Sequence, residues 1–315
     1  MKYVSFIRND LHSIGIWHNG RIFDIPAAAR AFGNTTMPNT MLALLDDFEY
    51  YHRQVRDMFS QSDPGRRPEL FFPDGQASLL PPLPDPRSVR MFYSFPEHCQ
   101  ATAEYFDMPD LENRSDSPRF VRINHLALYG PGSEVPYPQE TSHLDYEMQI
   151  GVVLGRQGRN IPVSTADDYI AGYVIINSWT ARDIEREELQ TGLGPGQSRD
   201  FALSLGPYLV TGDEVGEDTT ETSMSLRMSA SINGAQYSAD NTADMAYSFQ
   251  EMIHSVSKNS TVHPGEVLCS GASGTGSILS MGPDSYPWLE PADTIQLEIE
   301  KIGTLHNTIG ASEPN

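Results

Sequence analysis

Asp145, Glu147 and Gln149 alternate along LDYEMQIGVVLG (residues 144–155), so a strand there sets all three side chains on one face. Two acids followed by an amide pose a question of chemistry: a hard divalent cation takes several charged or carbonyl oxygens, and an amide in the series weakens such a site. Further along, SWTARDIE (178–185) groups Ser178, Arg182, Asp183 and Glu185, and GPGQSRDF (194–201) carries Gln197 and Arg199. An arginine fork can grip a carboxylate at two points, which a lysine cannot do. Arg182 beside Asp183 also reads as an internal ion pair bracing a strand-to-helix turn. His98 lies in FYSFPEHC; taken alone, it reads as a polar or capping residue beside a helix. His125, His143, His254 and His263 have no paired ligand spacing.

The elements that must position these groups are mostly strands. FVRINHLALYG, DYEMQIGVVLG, YIAGYVIINSW, GPYLVTG, MSLRMSASING and TIQLEIEKIGTLHNTI are β-prone runs divided by Gly, Pro or Asp clusters. Helices are expected at PEHCQATAEYF, ARDIEREELQ and AYSFQEMIHSVSKN, and as one element across NTMLALLDDFEYYHRQVRDMF. The pattern predicts an α+β chain, mainly β. Proline-rich QSDPGRRPEL and LLPPLPDPRS mark a junction, dividing a small N-terminal domain with its linker (1–85) from a larger one (86–315).

The whole chain bounds the partners. Its 315 residues carry 21 Lys and Arg against 42 Asp and Glu, a formal charge of −21, which repels phosphate polyanions and argues against nucleic acid. No run approaches a membrane span, and the first residues lack the form of a secretory signal. Cys99 and Cys269 are the only cysteines, too few for a disulfide framework. A cytoplasmic protein with a small-molecule substrate is the expectation.

Four segments in order, LDYEMQIGVVLG, GYVIINSWTARDIE, HPGEVLCSGASGTG and IEKIGTLHNTI, resemble the fumarylacetoacetate hydrolase family over some 220 residues. The resemblance implies a mixed β-roll C-terminal domain behind a small N-terminal domain, commonly in a homodimer. Apolar strands with limited helical cover would suit burial between subunits. It also implies a Mg²⁺ or Ca²⁺ site and an activity on keto acids or 1,3-dicarbonyl compounds: carbon-carbon bond hydrolysis, decarboxylation or isomerisation through an enolate.

The departures from the family pattern bear on that activity. Of the four expected oxygen ligands only Glu147 is kept; Gln149, Ser178 and Met91 stand at the others, so the divalent metal is expected to be absent or weakened. Asp145 or Asp200 could rebuild a site of different geometry. The family lysine falls on Gln197 or Arg199, and a guanidinium there would substitute fixed donors for the ion. By resemblance, His98 is the lid base, with Glu104 as its partner acid. Tyr93, Tyr129, Arg182 and Glu185 fall at substrate-contacting positions, and Ala272 replaces a threonine that closes the pocket. The reading is a hydrolase, lyase or isomerase, with enolate-type cyclisation among the reactions, in a specialised biosynthetic role; the alternative is a non-catalytic small-molecule binder or support subunit.

Overall fold

The computed structural model describes residues 1–108, 117–192, 194–216 and 224–312. A twelve-stranded mixed sheet runs through it. In spatial order its main path is Phe71–Pro73, Arg21–Asp24, Leu11–His18, Lys2–Arg8, Leu203–Val210, Ile170–Ser178, Met148–Leu154, Glu266–Cys269, Ser88–Phe92 and Phe120–Ile123. Ser78–Leu79 and Leu128–Tyr129 pair off this path. A second sheet of five strands is ordered Ala235–Asn241, Arg227–Ile232, Thr294–Ile299, Gly303–Ser312, Glu134–Tyr137.

Met148–Leu154 is buried at all seven positions, as a run apolar but for Gln149 in a doubly covered strand should be. One face sends Met148, Ile150, Val152 and Leu154 into a core shared with Met228, Ile295, Leu297 and Leu305 of the second sheet. The opposite face packs Val153, Val174, Ile176 and Val267 against Leu44, Val55 and Met58 of the N-terminal helices. Alternation places Gln149 and Glu147 on this second face, at its end.

The first 80 residues are hydrogen-bonded into the large sheet, with Lys2 opposite Val210 and Tyr3 opposite Leu209. The proline-rich stretch contributes two short strands, one of them at the sheet edge, where proline's missing donor costs no ladder bond. The single helix expected over residues 39–59 is two, Met41–Leu45 and Phe48–Ser60, divided at Asp46 and Asp47. The helices expected near residues 96, 182 and 249 run over Pro96–Phe106, Arg182–Thr191 and Phe249–Ser257.

The apolar face of the strand Thr294–Ile299 is covered within one chain. Thr294–Ile299 turns Ile295, Leu297 and Ile299 inward and leaves Thr294, Gln296 and Glu298 exposed. That strand therefore offers no uncovered apolar face to a second copy. Among the described residues, no helix is long and apolar enough to cross a membrane.

Candidate active site

Three local features assemble the site. Ser178 N donates to the Glu147 carbonyl at 3.2 Å, and the Asn177 side chain accepts from Glu147 N at 2.9 Å, which fixes the two strands where they leave the sheet. Arg182 opens its helix, its backbone N–H tied to the His143 carbonyl at 2.9 Å. Arg199 sits on the short helix Gln197–Asp200, pointing inward, while Gln197 is exposed; this decides between the two residues left open by the sequence.

Arg199 occupies the centre. Its Nη1 and Nη2 donate to the two Glu147 carboxylate oxygens at 2.6 and 2.8 Å, a fork-to-fork pair. Nε and Nη2 also reach Glu185 Oε1 at 3.0 and 2.7 Å. The second N–H of Nη1 has only weak partners, the Met91 thioether at 3.6 Å and Ser178 Oγ at 3.5 Å. Gln149 donates to Glu147 Oε2 at 3.0 Å and accepts from Gly271 N at 3.1 Å. Met91, Glu147, Gln149 and Ser178 thus meet around a guanidinium.

A second guanidinium locks the first in place. Arg182 pairs through Nε with Asp145 at 2.8 Å and through Nη1 with Glu185 at 2.7 Å. Its Nη2 lies 2.9 Å from Glu147 Oε1 but too far off line for a hydrogen bond, leaving that buried group without one. Asp145 also accepts from Ile278 N and Leu279 N at 2.8 and 3.2 Å, so every neighbour of its carboxylate is a donor. Burial pushes the Glu147 carboxyl up, but Arg199 and Arg182 together outweigh it and hold the group well below the usual carboxylate range. Glu185 is held down in the same way.

Several expectations are corrected here. Glu104 is not a partner of His98; it accepts from Gln100 at 3.0 Å on the outer face of its helix. His98 is instead held by Ser280, 2.7 Å from Nδ1, a residue with nothing in the pattern of GTGSILS to single it out. Arg182 is fully buried and spends Nε and Nη1 on carboxylates, which leaves only Nη2 for a substrate, and Glu185 bridges the two arginines. Asp183 does not pair with Arg182, because it accepts from Ser142 N at 2.8 Å. Asp200 is exposed and away from the cluster. Tyr93 is near enough for the arginines and acids to act on its hydroxyl, which burial pushes above the ordinary tyrosine range. Tyr129 sits in the strand beside Ser204, half-buried.

This donor set does not fit a hard divalent cation. Both Glu147 oxygens and Glu185 Oε1 accept from Arg199, Gln149 presents its N–H₂ rather than its oxygen, and the other contacts of the guanidinium are a hydroxyl and a thioether. Among the described residues, no group of three or more His, Cys, Asp or Glu is placed to hold a metal.

Gly271 closes the site at φ +85°, and a Cβ there would lie 2.1 Å from the Phe92 carbonyl oxygen. Gly271→Ala is expected to destabilise the protein by about 3 kcal/mol, from left-handed strain plus the clash, measured by urea unfolding.

Residues 87–310 match the family described as Fumarylacetoacetate (FAA) hydrolase C-terminal. The uncharacterized protein SERP0556 of Staphylococcus epidermidis is 30% identical, with 97% of this chain and 98% of that protein covered. Among solved structures, maleylpyruvate hydrolase from Sphingobium sp. SYK-6, in complex with manganese(II) and pyruvate, is 19% identical with a TM-score of 0.73 over 99% of this chain and 100% of that one. Fumarylacetoacetate hydrolase from Exiguobacterium antarcticum is 22% identical with a TM-score of 0.72, covering 99% of each chain. These structures share the fold.

Proposed function

Since the chain belongs to the fumarylacetoacetate hydrolase family, we propose that it is an enzyme acting on a small keto acid or 1,3-dicarbonyl compound, with fixed guanidinium donors where relatives use a divalent cation. The observation that carries this is the pair of under-used N–H groups, Arg182 Nη2 and the second proton of Arg199 Nη1, both beside Glu147. A buried donor without an acceptor is costly, and an enolate or carboxylate oxygen of a substrate would satisfy it. Family resemblance supplies the substrate class, and the substrates in the relatives' names agree with it: maleylpyruvate and fumarylacetoacetate.

Reactions that proceed through an enolate suit this site better than hydrolysis. Isomerisation and decarboxylation need the developing oxygen charge held, whereas hydrolysis also needs an activated water, the second service of a metal. A support subunit with no ligand draws no support from under-used donors of this kind, since a site kept only for packing gains nothing by leaving them unpaired; a binder would use them as an enzyme does, and turnover separates those two.

Assay against a panel of 2-keto and 1,3-diketo acids tests the reading. Turnover is expected to be unchanged by chelator, and millimolar Mg²⁺ should leave the melting temperature where it was. A site that binds the ion would gain about 2.7 kcal/mol at a hundredfold excess over Kd. Loss of activity with chelator and its return with Mg²⁺ would sink the guanidinium reading.

A further inference from the structure

We propose that Ser280, through the chain Ser277, Ser280, His98, fixes the His98 imidazole with its proton on Nε2, so that His98 meets the substrate as a hydrogen-bond donor and not as a base. This rests on the keto-acid reading for its catalytic meaning, though not for its geometry.

The assignment follows from counting donors and acceptors. Nε2 has two neighbours, and both accept. Thr102 Oγ1, at 3.4 Å, has given its own proton to the His98 carbonyl at 2.8 Å, and Glu147 Oε1 lies at 3.8 Å. A lone pair on Nε2 would face a carboxylate oxygen and a hydroxyl oxygen with no proton between them. On the other side of the ring, Nδ1 is 2.7 Å from Ser280 Oγ, which is 2.8 Å from Ser277 Oγ. Ser277 Oγ already accepts from Ser280 N at 3.1 Å. If Ser277 donates to Ser280 and Ser280 donates to Nδ1, each hydroxyl gives its proton once and each accepts once. The reverse order leaves the Ser277 hydroxyl proton, in a fully buried residue, with no acceptor among the described contacts.

Both Nε2 contacts exceed a good hydrogen bond, so this N–H is a third under-used donor beside Arg182 Nη2 and Arg199 Nη1. All three flank the Glu147 carboxylate, and a substrate oxygen on which negative charge develops would meet them if it entered beside that group. Decarboxylation of a 3-keto acid fits this arrangement. The bond to the carboxyl carbon breaks, CO₂ leaves, the electron pair enters the enolate held by the donors, and a proton from water completes the carbon, the hydroxide left behind combining with CO₂ as bicarbonate. No base is consumed. Neutral imidazole is the form such a donor must take, and burial, the first cause, with Arg182 and Arg199 against Glu147 and Glu185, lowers His98 to about 4.

Ser280 touches no substrate in this account; it is a positioning residue. Nitrogen-15 NMR of the whole protein reads the tautomer directly, with His98 assigned by the signals lost in His98→Gln. Wild type is expected to show a protonated Nε2 and a bare Nδ1. Ser280→Ala should shift the population toward protonated Nδ1 and lower kcat about tenfold at unchanged KM, the factor of one ordinary hydrogen bond. Ser280→Thr, which keeps the hydroxyl, should restore both. A protonated Nδ1 in wild type, or a tautomer indifferent to Ser280→Ala in a folded variant, overturns the proposal. Wild type that shows the expected tautomer but turns over no keto acid leaves this positioning role standing and refutes the keto-acid reading instead.

Discussion

Arg199→Ala is expected to destabilise the protein by about 3 to 5 kcal/mol, the usual cost of removing one partner from a buried ion pair. The variant should then gain a response to divalent cations that wild type lacks. The reason is the position of the guanidinium. Glu147 and Glu185 both aim oxygens at it, and Arg182 alone cannot satisfy them, because it is already shared with Asp145. Truncation leaves a cavity lined by two carboxylates and the Ser178 hydroxyl, a set that a hard cation accepts. Millimolar Mn²⁺ or Mg²⁺ should therefore raise the melting temperature of Arg199→Ala. Adding Gln149→Glu and Ser178→Asp should strengthen the response and lower stability further when no ion is present, through like-charge repulsion. Arg199→Lys should fall between, keeping the charge and losing the fork. Thermal melts with and without the ion decide the matter: an Arg199→Ala variant as stable as wild type, or one indifferent to the ions, would mean that Arg199 does not stand in a cation's place.

How much of this could be read in the sequence differs from residue to residue. The strand carrying Gln149 was legible because a run apolar at all but one of seven positions, ending at a Gly, has few other fates; Glu147 lies just before it, in a break that separates Met148–Leu154 from the short strand Leu144–Asp145, so one continuous strand through Asp145 is not formed. Arg199 was legible as a type but not as a position, because the loop before it allows a gap of two residues and only the helix Gln197–Asp200 decides which side chain turns in. Asp145 looked like a candidate ligand. Its actual partners, Arg182 and the backbone of Ile278 and Leu279, come from elements 37 and more residues away, beyond any local pattern. Ser280 was invisible for the same reason: its contact with His98 spans 182 positions, and serines in helix first turns usually serve the helix itself. Glu104 was misplaced by counting turns, since six residues rotate it off the face that holds His98.

Stability is expected to fall in two stages as the pH is lowered, and His98→Gln should remove part of the first. His98 is lowered from 6.5 to about 4 in the folded chain, chiefly by burial. Below pH 6.5 the unfolded chain takes up a proton there that the folded chain refuses until about pH 4, so stability drops across that window by about 1.4 kcal/mol per pH unit. His52, also depressed by burial, adds to the same stage, which is why the substitution flattens the slope without abolishing it. The second stage belongs to Glu147 and Glu185, both held below their ordinary value of 4.5. Their contribution is complete above that pH and is lost as it falls further, when the unfolded carboxylates protonate first. Urea unfolding at half-unit steps from pH 7 to 4 measures the slope. If His98→Gln has the same slope as wild type between pH 6.5 and 4.5, the imidazole is protonated across that window in the folded protein as in the unfolded one. It would then be a cation beside Glu147, and the neutral donor that an enolate site needs would be absent.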